Sequence, residues 1–261
     1  MASRRLRPTA LQIARRAVAA QVTAEFGISA SHYARARNEK KKAEIVDNFN
    51  GMLEWVSREG ILDWLTPRER SFLDSDLTEY VGPTEEAVVE LECVGLLLWG
   101  MGLTNAPRTS QFSRNAYLET LHANEAAPDH GIISDAGLRP SDRDIVRSTQ
   151  DMLVMADAYR LQLWRLDLAV RDTKARVDIR KVAPELIGES AENVLQLLSI
   201  ERHGELVFDD RWTLVFYELF KGDIPWIRLV LLHRLKSLEW LLGGVVDWDL
   251  YAPELLTSAS T

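Results

Sequence analysis

The chain has 261 residues, 46% of them hydrophobic and 27% charged, with a formal net charge of −8. That balance excludes a disordered chain and suits one large domain, or one domain with a satellite. Its single cysteine, Cys93, excludes an intramolecular disulfide and fits a reducing compartment, so a cytoplasmic location is expected.

The charge is unevenly spread. Residues 1–42 hold ten basic and two acidic side chains, a net of +8, and the remainder holds 21 basic and 37 acidic ones, a net of −16. A basic arm beside an acidic body either packs on that body or holds an acidic partner. Arg4, Arg5 and Arg7 lead into no unbroken apolar stretch, because Gln12, Arg15 and Arg16 interrupt it, so no signal peptide is read here.

In chain order, the first helix is expected near Pro8, with Leu11, Ala14, Val18, Val22 and Phe26 on one face and Gly27 as its stop. A second helix is expected over 31–59. It has a basic first half, an apolar stripe at Ile45, Phe49, Met52 and Val56, and Gly60 at its end. Thr66-Pro67-Arg68-Glu69 is a capping-box pattern and opens a short helix through Leu73. Pro83-Thr84-Glu85-Glu86 opens the next, which runs to about Met101. Its later part is apolar all round, as in a helix central to a core. The apolar run from Cys93 to Leu103 falls short of the roughly 20 residues a membrane span needs.

Residues 104–140 are rich in Pro, Asn, Ser and Asp and read as a long irregular connection, with a short helix at 117–121. A long helix follows from Ser141 to about Arg171. Beyond it, 194–200 reads as helix, 206–208 as a short strand, and 212–220 as helix or strand. The last helix starts at Asp223-Ile224-Pro225 and ends near Gly243-Gly244. The whole reads as a mainly α, single irregular multi-helix domain over 6–255, with at most a short strand or hairpin near 205–220.

Several stretches together resemble a widespread bacterial family, domain-of-unknown-function family 4272. They are Ile13-Ala14-Arg15-Arg16-Ala17, the run from Trp64 to Leu73, and the run from Glu92 to Gly102. Leu138-Arg139-Pro140 leading to Trp164 is a fourth, and Arg234 to Leu241 followed by Asp247-Trp248-Asp249 is the last. The chain departs from the family's pattern in its last helix, where His233-Arg234-Leu235 and Glu239-Trp240 stand for Glu-Arg-His and Asn-Trp. The resemblance implies architecture and no activity.

No nucleophile elbow, phosphate loop or dinucleotide turn is present. Glu92 and Arg234 are ionic residues inside apolar helical runs and need partners, and Glu239 and Asp249 lie close by in sequence. These four form the candidate polar network. It either staples the fold or lines a ligand or acid–base pocket. Trp212 and Trp248 sit in irregular segments and are candidates for a contact surface, as are Arg15, Arg16, Arg35, Arg37, Lys40, Lys41 and Lys42. The other tryptophans singled out, at 55, 99, 164, 226 and 240, lie on apolar helix faces. His233 stands among cations, and His32, His122, His130 and His203 lack paired ligand spacing, so neither metal nor cofactor is expected. Cys93 reads as a small core hydrophobe.

The leading expectation is a non-enzymatic helical protein that acts through another protein, such as an immunity-like binder or an assembly component. The alternatives are an enzyme or ligand-binding domain centred on Glu92, Arg234 and Asp249, and nucleic-acid binding by residues 1–42. No membrane partner is expected, and the oligomeric state is not readable.

Overall fold

A computed structural model describes residues 7–80, 82, 84–107, 109, 112, 147–172, 176–200, 203–209, 214–215, 223–244, 248–249 and 251. The first helix, α1 (Ala10–Arg35), starts with a reciprocal cap: the Gln12 amide donates to Thr9 Oγ1, and the Thr9 amide donates to Gln12 Oε1. Gly27 does not stop it. A Cβ on Gly27 would lie 2.8 Å from Ala87 Cβ and 2.9 Å from the Val88 nitrogen, so the glycine marks a close crossing of two helices. The break falls at Ala36–Asn38 instead, where Asn38 Oδ1 accepts from the Lys41 amide and starts α2 (Glu39–Arg58). Gly60, at φ 70°, follows the end of α2 in the left-handed conformation.

A 3-10 turn (Ile61–Trp64) leads to α3 (Pro67–Leu73), which opens with the expected Thr66–Glu69 capping box. The expected helix over 83–101 divides at Val89 into α4 (Glu85–Val88) and α5 (Glu90–Gly100). Then come α6 (Thr149–Arg171), capped by Ser148, α7 (Ile179–Ile187), a 3-10 turn (Gly188–Ser190) and α8 (Ala191–Leu197). A two-stranded hairpin pairs β1 (Val207–Asp209) antiparallel with β2 (Leu214–Val215), and α9 (Ile224–Leu241) closes the described fold. The architecture is mainly α. The helix expected at 117–121 lies outside the described residues, and so does most of the 104–140 connection.

Every residue of α5 is buried, as its all-round apolarity requires. Helices α1 and α9 pack along it, and α6 packs on α9. Ile227, Val230, Leu231, Leu235, Leu238 and Leu241 of α9 all enter this core. Burying each such aliphatic side chain stabilises by about 1.5–3 kcal/mol. A second cluster lies between α1, α2 and α3. There Phe26 meets Phe49 and Tyr80 edge-on at 5.7 and 4.9 Å. Among the described residues, no helix is long and apolar enough to cross a membrane.

Candidate functional site

The seam between α5 and α9 collects charge inside the core. Glu92 and Arg234 meet there: Arg234 Nε donates to Glu92 Oε2 at 2.8 Å, with the two side chains 1% and 6% exposed. The guanidinium lies 5.1 Å from the Phe112 ring and 5.6 Å from the Tyr159 ring of α6. Burial pushes the Tyr159 hydroxyl up to about 12, so it stays protonated. Burial opposes the charge on Arg234, and Glu92 outweighs it and raises the guanidinium further.

One turn along the same seam is a second group. Glu90 and Cys93 stand three residues apart on α5 and share a face, as do His233 and Lys236 on α9. Lys236 Nζ donates to Glu90 Oε1 at 2.8 Å, and His233 Nδ1 lies 3.3 Å from the same oxygen. Cys93 Sγ is 3.6 Å from His233 Nδ1 and donates to the His233 carbonyl at 3.5 Å. Burial pushes the Glu90 carboxyl up, but Lys236 and His233 outweigh it and hold it well below the ordinary range. Burial, then Glu90, pushes the Cys93 thiol well up. Burial and Lys236 draw His233 down against the pull of Glu90. Glu90, Cys93 and His233 thus offer a carboxylate oxygen, a sulfur and a ring nitrogen within 4.8 Å of one another.

Trp248 covers this group. It is 7% exposed and core-packed, a correction to the expected contact surface. The C-terminal segment folds back here and seats the indole between two cations, with Arg16 and Lys236 at 4.7 and 4.5 Å from its ring. Trp240 stands perpendicular to it at 5.8 Å. Arg16 is itself buried and paired with Glu69 of α3.

Asp249 does not join Glu92 and Arg234. Its carboxylate accepts from Thr66 Oγ1 at 2.6 Å and from the Arg68 amide at 3.1 Å, which ties the C-terminal segment to the start of α3. Glu239 lies in a third place, where Arg160 donates to it at 2.7 Å and also to Asp157 at 2.9 Å. The four-residue network read from the sequence is therefore one pair and two separate contacts.

Sequence reasoning missed Lys236, Glu90 and the most deeply buried ion pair among the described residues, Arg165 with Glu205. Arg165 Nε and Nη2 donate to the two carboxylate oxygens of Glu205 at 2.9 and 2.8 Å, with side chains 0% and 2% exposed. Glu205 also accepts from the Val177 and Leu206 amides, which anchors the hairpin to α6.

The basic residues of the N-terminal region divide in two. Arg7 donates to the Leu241 and Arg147 carbonyls, and Arg15 lies over the Trp64 ring at 5.2 Å, so both rest on the body. Arg35, Arg37, Lys40 and Lys41 are exposed around the α1–α2 turn, while Lys42 is half-buried and paired with Glu39 at 3.1 Å. Beside that turn, α1 and α2 leave a groove of about 670 Å³, with Val22, Ile28, Ile45, Phe49, Met52 and Trp55 in its lining and Glu25 and Asp47 among its charged residues. Trp212 lies outside the described residues.

A family model described as Domain of unknown function (DUF4272) matches residues 3–196. No curated protein and no solved structure matches the chain.

Proposed function

The chain belongs to the DUF4272 family, and we propose that it is a helical binding protein that takes an acidic, amphipathic segment of a partner protein into the groove between α1 and α2. The carrying observation is the groove itself. Helix α2 buries only Phe49 and Val56, and it leaves Ile45, Met52 and Trp55 of its apolar stripe half-covered. An apolar floor of this kind suits the apolar face of a helix laid along it. The exposed cations Arg35, Arg37, Lys40 and Lys41 at the turn supply the complementary charge for acidic residues on the same segment. Nucleic acid is the weaker reading of those cations, because the groove beside them is floored by Val22, Ile28, Ile45, Phe49, Met52 and Trp55, which match the apolar face of a helix and not a phosphate backbone. Glu25 and Asp47 in the lining leave the acids of that helix to the turn.

The test uses fluorescently labelled synthetic amphipathic helices, one acidic and one with its charges reversed, read by anisotropy against the full chain. The acidic peptide binds, its affinity falls with salt, and paired Lys40→Glu and Lys41→Glu changes weaken it by about tenfold, about 1.4 kcal/mol. Met52→Glu in the lining abolishes binding. Equal binding of the two peptides overturns the proposal. So does binding of duplex DNA or single-stranded RNA through the same cations without peptide binding.

A further inference from the structure

The geometry points to a divalent-metal site on the α5–α9 seam, with Glu90, Cys93 and His233 as its protein ligands and zinc as the class of ion it suits.

Three kinds of donor meet there: a carboxylate oxygen, a thiol sulfur and an imidazole nitrogen. Zinc binds all three, at about 2.3 Å to sulfur and about 2.0–2.2 Å to nitrogen and oxygen. In a tetrahedron of those bond lengths, a sulfur and a nitrogen ligand stand about 3.5 Å apart, and a nitrogen and an oxygen ligand about 3.3 Å apart. The Cys93 Sγ to His233 Nδ1 distance is 3.6 Å, and the His233 Nδ1 to Glu90 Oε1 distance is 3.3 Å. Two edges of the coordination polyhedron already have their lengths. The three-residue spacing of Glu90 and Cys93 on α5 holds one edge of the site, and the packing of α9 against α5 supplies the third ligand.

A second observation is independent of that geometry. Glu90 is 6% exposed, and its Oε2 atom is buried with no hydrogen-bond partner. An unsatisfied buried carboxylate oxygen is costly, and a cation removes the cost. Oε1 ligates the metal along the edge to His233 while keeping Lys236, the kind of hydrogen bond that ligating carboxylates ordinarily carry, and the bare Oε2 on the same carboxylate comes within reach of the same ion. Glu90 and the Cys93 thiolate set two negative charges against the divalent ion and the Lys236 ammonium, which leaves the cluster one charge positive, and the proton displaced from the thiol leaves to solvent. Three protein ligands leave the fourth coordination position for water or a small donor.

The site lies apart from the α1–α2 groove, so its failure and the failure of the binding reading are separable. The experiment is cobalt titration of chelator-treated full-length protein under argon. The chain has one cysteine, so any sulfur-to-cobalt charge-transfer band reports Cys93 directly. A saturating band at one cobalt per chain, with the visible bands of tetrahedral cobalt and displacement by zinc, is the expected result. Cys93→Ser removes the band, and His233→Ala and Glu90→Gln each weaken binding by about tenfold or more, with circular dichroism checking the fold. Absence of a sulfur band in the wild-type chain overturns the site without recourse to any variant. Folded His233→Ala and Glu90→Gln proteins that bind as tightly as wild type also overturn it.

Discussion

Replacing Glu92 by alanine tests whether the α5–α9 seam is held by charge. Arg234 is 1% exposed, so the substitution takes the counter-charge from a guanidinium that water does not reach. Removing one partner of a buried pair costs about 3–5 kcal/mol. Glu92→Gln keeps an oxygen 2.8 Å from the same donor, so its cost falls to the value of the charge on that hydrogen bond, about 1.5–3 kcal/mol. For a urea slope of about 3 kcal/mol/M, the alanine variant shifts the unfolding midpoint down by about 1–1.7 M and the glutamine variant by about 0.5–1 M. Replacing both residues by apolar ones of similar volume, Glu92→Leu with Arg234→Met, recovers most of the loss, because the pair is then absent on both sides. Equilibrium urea unfolding followed by helical circular dichroism measures all three. A Glu92→Ala shift below about 0.3 M would refute the reasoning, as would a double variant no more stable than the single ones.

Two further changes probe other joints of the fold. Gly27→Ala gains about 1 kcal/mol in helix propensity but drives a Cβ to 2.9 Å from the Val88 nitrogen and 3.0 Å from the Thr84 oxygen, backbone atoms with no rotamer to yield. A net loss of about 1–3 kcal/mol and a lower Tm are expected, and a Tm above that of the wild type in a thermal melt would show that the crossing is loose. Thr66→Ala removes both the cap of α3 and the partner of Asp249, at a cost of about 1–2 kcal/mol, while Thr66→Ser retains both. Equal melting temperatures for the two variants would show that the hydroxyl carries neither contact.

The helices were largely legible because their signals are local. The capping box at Thr66 and the uniform apolarity of α5 are read from adjacent residues, whereas the box at Thr9, closed by Gln12, is seen only in the structure. Glu92 and Arg234 were legible because a charge inside an apolar helix requires a partner. Gly27 misled because a glycine that ends a helix and one that admits a neighbouring helix look alike in sequence, and α4 decides between them from 60 residues away. Glu90 carries no local signal, because it stands before the unbroken apolar run, and only the packing of α9 against α5 buries it. His233 was set aside for its cationic neighbours. In the helix, however, Arg234 is turned away toward Glu92, while His233 and Lys236 face Glu90. Arg165 and Glu205 carry no local signal of pairing, since one lies on an amphipathic helix and the other before a two-stranded hairpin. Asp249 and Glu239 were grouped with Arg234 by sequence proximity, which a chain reversal after α9 undoes.

Helix α9 lies wholly beyond residue 196, where the family match ends, yet it fills the space between α5 and α6. Cutting the chain at that boundary would strip the counter-ions from Glu90 and Glu92 and open the flank of α5 to water along its length. The matched stretch is therefore not autonomous here. In this chain the two acids at 90 and 92 and the two cations at 234 and 236 form one charge-matched unit split across the boundary, so the tail and the matched stretch fold as a single cooperative piece.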